Sequence, residues 1–355
     1  MYQICNHLLR LMVRSRLQIE LKKLLCNLRN TRQATSNPLK PEHLCLGVGS
    51  DEIIDGIFRC FCTPAHDKIL TCPPTYGMYA HSAQVNDLKI IPVNLDTASG
   101  FGLRPRAVNE MLFKDPSIKV VLLCTPGNPA GTLLAKSDIQ QILEHPTWNG
   151  VVVVDEAYID FAPEFSSIAD WVTEWPNLIV IQTLSKAFGL AGLRLGAAFS
   201  SPGVVQLLNN LKAPYNISSP TVALAFEAFQ PHSLAVMKAN RLKIFAQRDR
   251  LLAELPKVPG VGKFRGGSDS NFLLVEMLNK PVAEGGVPDN QVALAVYQAL
   301  AVKAQIIVRY RGKEPGCLGC LRITVGTEEE VDGFLSQLKT VLAEVYTNMA
   351  SKEQD

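Results

Sequence analysis

Lys186 follows a run of aliphatic residues, 178–184, that is typical of a buried strand. A buried ammonium group is unfavourable unless it is paired or used in a reaction. In an apolar pocket the pKa of a lysine falls, and the neutral amine is a nucleophile that forms Schiff bases with carbonyl compounds. Ser185 and Arg194 flank this lysine, and an alcohol and a planar guanidinium suit a phosphate group. The alternative is a lysine that extends from a strand end into solvent.

A second motif that could bind a phosphate is the segment Gly47-Val-Gly-Ser-Asp-Glu52, which precedes an apolar helical run at residues 53–61. Small residues at the N-terminus of a helix let backbone N–H groups point at an anion, and the helix dipole favours negative charge there. A dinucleotide-binding fingerprint needs a third glycine, which this segment lacks, so we do not predict NAD. An ordinary helix cap is the alternative interpretation of this segment.

Three further residues could bind a flat aromatic cofactor. Asp155 ends an aliphatic run at residues 151–155, and a buried carboxylate there needs a cationic or N–H partner. In a pyridoxal-phosphate (PLP) site that partner is the protonated ring nitrogen, which makes the ring an electron sink. The Asn128 amide could donate to the ring oxygen, and Tyr76 could stack on the ring. Each motif alone fits an ordinary turn, but together they predict a PLP enzyme whose cofactor forms a Schiff base with Lys186.

The elements that must position these residues alternate between short aliphatic runs and helical patterns, which is typical of an α/β sheet with parallel strands. The clearest strands are predicted at residues 89–93, 120–124, 151–155 and 178–184. In an open α/β sheet, ligands bind beyond the carboxyl ends of the strands. The motifs that follow the last three strands are therefore expected to meet at one site.

The pattern changes after about residue 235. A charged helix is predicted at residues 238–255, strands at 271–275, 305–309 and 320–325, and a final amphipathic helix at 328–346. This order is typical of a smaller α+β domain. We therefore divide the chain into an N-terminal segment (1–40), a large cofactor-binding domain (41–235) and a small C-terminal domain (236–350).

Composition excludes several classes of protein. The formal net charge is +2, which gives no support for binding nucleic acid or a membrane surface. No apolar stretch approaches the roughly 20 residues that span a bilayer. The nine cysteines are an odd number and lie largely within apolar segments, which indicates reduced, buried thiols. Cys317 and Cys320 have the spacing of half a zinc site, but no matching second pair exists, so no metal is predicted.

The first 32 residues contain seven basic side chains and one acid, Glu20. A basic, acid-poor, amphipathic segment is typical of a mitochondrial transit peptide. Leucines at positions 17, 21, 24, 25 and 28 also form one stripe at helical spacing, as in a helix packed on the body of the protein. We favour the packed helix and a cytoplasmic protein, with mitochondrial targeting as the alternative.

In their order along the chain, these motifs resemble those of the fold-type-I PLP-dependent aminotransferases and, among them, the histidinol-phosphate aminotransferase family. The similarity runs from about Leu17 to about Leu342. The most specific strings are residues 49–55, 73–79, 155–161, 185–196, 213–218 and 319–326. The resemblance implies a large domain with a mostly parallel seven-stranded sheet, a smaller α+β domain, and a homodimer. It also implies transamination of histidinol phosphate with 2-oxoglutarate, which gives imidazole acetol phosphate and glutamate.

The resemblance assigns roles to residues of the cofactor site. Lys186 would carry the cofactor and shuttle a proton between the substrate and the cofactor. Asp155 would pair with the ring nitrogen. Tyr158 and Asn128 would bind the ring oxygen, and Tyr76 would stack on the ring. The cofactor phosphate would be held by Ser50, Asp51, Ser185 and Arg194.

Two arginines receive substrate roles from the same resemblance. Arg322 would bind the α-carboxylate of glutamate or 2-oxoglutarate, and Arg309 would bind the phosphate of histidinol phosphate, which has no carboxylate. Arg309 could instead be a plain surface residue, and Arg311 is close enough in sequence to be confused with it. A turn rich in glycine, at residues 312–319, could bring Arg309 and Arg322 to one mouth.

The chain also departs from the family pattern. The family begins with an extended arm of the Asn-Glu-Asn-Pro-Tyr type, which nothing in residues 1–16 matches, and Val13 stands where the family has a tyrosine that reaches the partner subunit's site. Two alternatives therefore stay open beside the main prediction. One is an aromatic amino-acid aminotransferase, and the other is a PLP-binding protein with impaired turnover.

Overall fold

The computed structural model describes residues 2–30 and 37–352, and its side chains within residues 16–30 and 37–349. Its larger sheet has seven strands in the order β1-β7-β6-β5-β4-β2-β3. The strands are β1 (Leu44–Val48), β2 (Lys68–Thr71), β3 (Lys89–Pro92), β4 (Ile118–Cys124), β5 (Val151–Asp155), β6 (Leu178–Thr183) and β7 (Leu195–Ser200). Only β7 runs antiparallel to its neighbours β1 and β6, and the other pairs are parallel. The predicted fold class, an α/β protein with a mostly parallel seven-stranded sheet, is confirmed.

Helices cover both faces of this sheet. The ten helices described are α1 (Tyr2–Arg29), α2 (Gly49–Phe61), α3 (Met78–Val85), α4 (Pro105–Lys114), α5 (Lys136–Leu143), α6 (Pro202–Leu211), α7 (Ser219–Ala228), α8 (Pro231–Glu254), α9 (Asn290–Lys303) and α10 (Glu328–Lys352). In β5, Val152 and Val154 face one core together with α1, α4 and α5, while Val151 and Val153 face a second core with α2, α3 and α6. Because both faces are covered, the strand is apolar at successive positions without alternation.

The leucine stripe near the N-terminus forms part of the core, as predicted. Leu21 and Leu25 are buried, and Leu17, Leu24 and Leu28 pack against the same cluster. Helix α1 packs on α7. The interpretation of residues 1–16, including Val13, falls largely on side chains outside the described part of the chain.

The second sheet has four antiparallel strands in the order β10-β11-β9-β8. They are β8 (Val261–Arg265), β9 (Phe272–Met277), β10 (Arg309–Tyr310) and β11 (Cys320–Thr324). With α9 and α10 the sheet encloses a separate hydrophobic core. None of the described helices has an apolar stretch long enough to cross a bilayer.

The strand predicted at residues 305–309 is wrong except at its last residue. Gln305 has a left-handed backbone conformation with φ 56°, and the N–H of Ile306 donates to the carbonyl of Leu300 at 3.0 Å. These residues close the end of α9, so β10 begins only at Arg309. The predicted domain boundary after residue 235 falls within α8, and the division into three segments stays a prediction.

Candidate active site

One pocket lies at the edge where the strands β1, β4, β5 and β6 of the large sheet reach their carboxyl ends. All nine residues predicted to bind the cofactor line this pocket, namely Ser50, Asp51, Tyr76, Asn128, Asp155, Tyr158, Ser185, Lys186 and Arg194. Cys124, Ala157, Thr183 and Ala191 also line it and were not predicted. The convergence expected for an open α/β sheet therefore occurs.

Asp155 forms the floor of the pocket at the last position of β5 and is 2% exposed. Its Oδ2 accepts a hydrogen bond from the Tyr79 hydroxyl at 2.7 Å, and its Oδ1 accepts one from the N–H of Ala157 at 3.0 Å. Burial raises the pKa of this carboxyl, and the two hydrogen bonds and the nearby Lys186 ammonium oppose that rise. The carboxylate is thus ready to hold one further cationic or N–H donor.

Tyr76 lies in the turn between β2 and α3, and Tyr79 lies in the first turn of α3. Their rings meet edge to face with centroids 5.5 Å apart, and the hydroxyl of Tyr76 donates to Oδ1 of Asp51 at 3.2 Å. Tyr76 lines the pocket as predicted, while Tyr79 is fully buried behind it. The sequence string that contains both residues was recognised, but no role for Tyr79 was predicted from it.

Lys186 lies in the turn after β6 and not directly at the strand end, because β6 ends at Thr183. The residue lines the pocket and is exposed at its mouth. Its Nζ lies 5.4 Å from the ring centroid of Tyr158. Partial desolvation and then the positive charge of Arg322 lower the pKa of the Lys186 ammonium, although Asp155 and Asp51 act in the opposite direction. The amine therefore has the reduced basicity that a nucleophile requires.

The predicted phosphate-binding group surrounds the N-terminus of α2. The N–H of Gly49 donates to the carbonyl of Arg194 at 3.0 Å, and Nη2 of Arg194 lies 3.7 Å from Oδ2 of Asp51. A Cβ atom on Gly196 would lie 2.5 Å from the carbonyl carbon of Gly49 and 2.7 Å from the amide nitrogen of Ser50. Only glycine lets β7 approach the start of this helix so closely. The result is a cradle of backbone N–H groups beside an arginine, which suits a phosphate.

The string at residues 213–218 supports this cradle from outside. Nδ2 of Asn216 donates to Oε2 of Glu52 at 2.9 Å, and the same oxygen accepts the N–H of Val48 at 2.5 Å. Ser185 lies across the cradle, where its Oγ is 3.0 Å from Oγ1 of Thr183. Thr183 was not predicted as a site residue. Its hydroxyl donates to Oγ of Ser185 and so orients the predicted serine.

Arg322 on β11 connects the small sheet to the pocket. Its Nη1 donates to Oδ1 of Asn128 at 2.6 Å, and its guanidinium carbon lies 4.8 Å from the ring centroid of Phe272. The buried Nε has no hydrogen-bond partner among the described residues. Because the ring and the amide fix the plane of the guanidinium, its unused edge is available for a carboxylate. The arrangement also leaves the amide nitrogen of Asn128 for another acceptor.

Tyr158 stands between Lys186 and this arginine. Its ring meets the Phe272 ring edge to face at 5.0 Å, and it is 6% exposed. Burial, opposed mainly by Arg322, raises the pKa of Tyr158 to about 12, so the hydroxyl is a neutral donor near pH 7. No hydrogen bond between described residues engages this hydroxyl, and Tyr158 lines the pocket.

Arg309 is the register partner of Arg322 in the β10–β11 pair, so the two side chains share one face of the small sheet. The two arginines are thus brought together, as predicted. Arg309 is exposed, whereas Arg311 is half-buried and donates to Oε1 of Glu314 at 2.8 Å. Since Arg311 already has a carboxylate partner, Arg309 is the better candidate for a substrate anion.

Cys317 and Cys320, the half zinc site of the sequence, are buried free thiols, one in the turn before β11 and the other at the first position of β11. Within the described residues, no three His, Cys, Asp or Glu side chains are grouped as metal ligands. The pocket instead offers a nucleophilic amine, a buried carboxylate, neutral donors, an aromatic ring and an anion cradle. This set fits PLP group by group.

Comparison with known proteins agrees with this geometry. The family described as aminotransferase class I and II matches residues 6–338. A histidinol-phosphate aminotransferase of Schizosaccharomyces pombe is 51% identical over 331 residues, which cover 93% of this chain and 85% of the relative. The enzyme of that name from Saccharomyces cerevisiae is 43% identical, with 92% and 83% covered, and the one from Escherichia coli is 37% identical, with 85% and 79% covered.

Solved structures show the same fold. A histidinol-phosphate aminotransferase from Sinorhizobium meliloti, in complex with pyridoxal-5'-phosphate, superimposes with a TM-score of 0.79 at 23% identity and covers 93% of this chain and 82% of that one. An aromatic aminotransferase from Pyrococcus horikoshii superimposes with a TM-score of 0.73 at 16% identity, with 92% and 86% covered.

The chain therefore belongs to the class I and II aminotransferases, which confirms the predicted enzyme class with its PLP cofactor. Within that class it belongs to the histidinol-phosphate aminotransferase family, because relatives of that name share 43–51% of its residues over most of both chains.

Proposed function

We propose that the chain transfers an amino group from histidinol phosphate to 2-oxoglutarate, and in the reverse direction from glutamate to imidazole acetol phosphate, with PLP held on Lys186. The observation that carries the proposal is the contact between Arg322 and Asn128, which places an anion-binding guanidinium beside the cofactor pocket. The relatives named for this reaction support the choice of substrate.

The cofactor, when bound, supplies an electron sink that stabilises negative charge on the α-carbon of the substrate. Asp155 lines the pocket and would hold a proton on the ring nitrogen. The hydroxyl of Tyr158 and the amide of Asn128 would donate to the ring oxygen. Tyr76 would pack on the ring, and Ser50, Asp51, Ser185 and Arg194 would bind the phosphate.

Lys186 has two tasks in this proposal. It would hold the cofactor through its amine, and it would act as the base that takes the proton from the α-carbon of the substrate. The lowered pKa of its ammonium increases the neutral fraction that accepts this proton. The exposed position at the mouth of the pocket keeps the amine within reach of an incoming substrate.

The paired arginines let one pocket serve two different substrates in turn. The unused edge of Arg322 binds the α-carboxylate of glutamate or 2-oxoglutarate. Arg309, one strand further out on the same face, binds the phosphate of histidinol phosphate. Each substrate leaves before the next one binds, because the amino group stays with the enzyme between the two half-reactions.

A single-turnover measurement tests this proposal. The PLP-loaded protein is mixed with histidinol phosphate, glutamate, phenylalanine or tyrosine, and the absorbance of the bound cofactor is followed. We expect fast conversion by histidinol phosphate and glutamate and slow conversion by the aromatic amino acids. A clear preference for phenylalanine and tyrosine would instead establish an aromatic amino-acid aminotransferase. Bound cofactor with no conversion by any of the four donors would establish a PLP-binding protein with impaired turnover.

We also propose a homodimer. Apolar side chains that are exposed in the single chain support it, since α6 and α7 carry Leu207 and Leu224, which are 49% and 55% exposed, and Tyr215 between them is 65% exposed. Sedimentation equilibrium would give the mass of a dimer, and the mass of one chain would contradict it. The cytoplasmic location stays a prediction, supported by the free thiols.

A further inference from the structure

A fully buried tyrosine lies behind the floor of the pocket, out of reach of any substrate. The Tyr79 hydroxyl donates to Oδ2 of Asp155 at 2.7 Å, and Tyr79 itself is 0% exposed. It is the one side-chain hydrogen-bond donor to this carboxylate among the residues described, since Oδ1 is bound by a backbone N–H at Ala157. A substitution of this residue can therefore alter the hydrogen bonding of the carboxylate without touching the pocket wall.

The position of this hydroxyl is fixed by the start of α3, directly after the turn that contains Tyr76. The backbone N–H of Tyr79 donates to the carbonyl of Tyr76 at 3.2 Å, and the two rings meet edge to face at 90°. In α3, Ala83 packs in the same core cluster as Tyr79. A shift of the turn would thus move the ring against the cofactor and the donor to the carboxylate together.

The buried carboxylate needs this donor to act on a cofactor. Removing a carboxylate from water favours its neutral form, and a hydrogen bond to the charged form opposes that effect. A neutral carboxylic acid at this place could not hold a proton on a ring nitrogen. The donor also fixes the plane of the carboxylate, because with both oxygens bound the group cannot rotate about its Cβ–Cγ bond.

We infer that Tyr79 is a positioning residue for the reaction, which keeps the Asp155 carboxylate oriented and ionised for the ring nitrogen of the cofactor. The inference rests on the proposed function, because it takes PLP as the occupant of the pocket. The other titratable groups that face this carboxyl each come from a different element or turn of the pocket, and they are Asp51, Tyr76, Cys124, Tyr158 and Lys186.

The variant Tyr79→Phe tests the inference, because it removes the hydroxyl and keeps the ring. We expect the dissociation constant for PLP to rise about tenfold, because a hydrogen bond to a charged group is lost and the carboxylate is then less well held for the ring nitrogen. We also expect the pH midpoint for the absorbance change of the bound cofactor to rise by about one unit. A weaker proton on the ring withdraws less charge from the Lys186 nitrogen bound to the cofactor, so that nitrogen loses its own proton at higher pH.

A matched control is Tyr346→Phe, which removes a hydroxyl that donates to the carbonyl of Leu278 at 2.8 Å, away from the pocket. This control should leave the PLP affinity and the pH midpoint unchanged. In an Asp155→Asn background, Tyr79→Phe should change the PLP affinity less than about twofold, because coupled residues are not additive.

Three results would overturn the inference. One is an unchanged affinity and midpoint in Tyr79→Phe, and another is an equal loss in the Asp155→Asn background, which would show that Tyr79 acts by another route. The third is an unsubstituted chain that binds no PLP, which would overturn the proposed function as well. The first two leave PLP binding by the unsubstituted chain intact, so the two failures are distinguishable.

Discussion

Arg322 is the residue whose replacement separates the two half-reactions most sharply. It uses Nη1 for Asn128 at 2.6 Å, and its Nε is buried without a partner, so a substrate carboxylate can bind to the remaining edge with two hydrogen bonds. Arg322 is half-buried, and this desolvation lowers the pKa of its guanidinium. We predict that Arg322→Ala cripples the half-reaction with glutamate.

The magnitude follows from this environment. Truncating one partner of a buried, hydrogen-bonded charge pair costs about 2–5 kcal/mol, which corresponds to a loss of about 30-fold to several thousand-fold in kcat/KM. Arg309, the register partner, is exposed, and an exposed ion pair contributes about 1 kcal/mol at most. Arg309→Ala is therefore expected to slow the half-reaction with histidinol phosphate about fivefold and to leave the glutamate half-reaction nearly unchanged.

Stopped-flow absorbance of the bound cofactor measures each half-reaction separately. PLP affinity is measured for both variants, because Arg322→Ala also leaves Oδ1 of Asn128 without its partner. The dephosphorylated substrate tests whether the effect of Arg309→Ala depends on the phosphate. It should react equally with the unsubstituted protein and with Arg309→Ala.

Two outcomes would refute this reasoning. An Arg322→Ala variant that keeps its glutamate half-reaction would show that the carboxylate binds elsewhere. A dephosphorylated substrate that loses as much rate in Arg309→Ala as the phosphorylated one would show that Arg309 does not bind the phosphate. In that case Arg311 would be the next candidate, although its pairing with Glu314 argues against it.

Three further predictions concern the phosphate cradle, the buried ion pair of Arg29 and the amine of Lys186. Gly196→Ala should weaken PLP binding at least tenfold, because its Cβ would lie 2.7 Å from the amide nitrogen of Ser50. Gly192→Ala is the control and should leave binding unchanged, because a Cβ there would have no atom within 4 Å. Equilibrium dialysis measures the PLP affinity of both variants. Arg29→Ala should lower the free energy of unfolding in urea by about 3 kcal/mol, because Nη2 of Arg29 lies 2.9 Å from Oδ1 of Asp160 in a largely buried ion pair. A decrease no larger than the experimental error of the unfolding measurement would contradict this. In the cofactor-free protein, Lys186 should react with an amine-specific reagent at lower pH than exposed lysines outside the pocket, since its pKa is lowered from 10.5. A normal reactivity profile for Lys186 by peptide mapping would contradict this.

Residues whose environment is set by local sequence were predicted well. The valine run at 151–155 predicted β5 and the position of Asp155 correctly, because a fully covered strand has no alternation to misread. The strands β1 and β7 were not predicted, since they contain small residues such as Gly47 and Ala197 in place of a continuous aliphatic run. The small residue Gly196 lets β7 lie close to the start of α2, and a contact between two such distant segments cannot be read from the sequence pattern.

Contacts between distant segments could not be predicted in the same way. The hydrogen bond from Arg322 to Asn128 joins the two sheets, and no spacing in the sequence encodes it. The burial of Tyr79 behind Tyr76 depends on how α3 begins, and either tyrosine could have faced the pocket on sequence grounds. The exposure of Lys186 follows from a turn that begins after Thr183, one residue earlier than the predicted strand end at residue 184.

The central claim is that Lys186 carries the cofactor, and covalent trapping tests it most directly. The PLP-loaded protein is reduced with borohydride and digested, and the labelled peptide is identified by mass spectrometry, with Lys186→Ala and Lys212→Ala treated in parallel. Lys212 is a suitable control, because its Nζ donates to the carbonyl of Leu46 at 3.0 Å and it does not line the pocket. We predict label on Lys186 in the unsubstituted protein and in Lys212→Ala, and none in Lys186→Ala. Label on Lys212 or on another lysine would contradict the account.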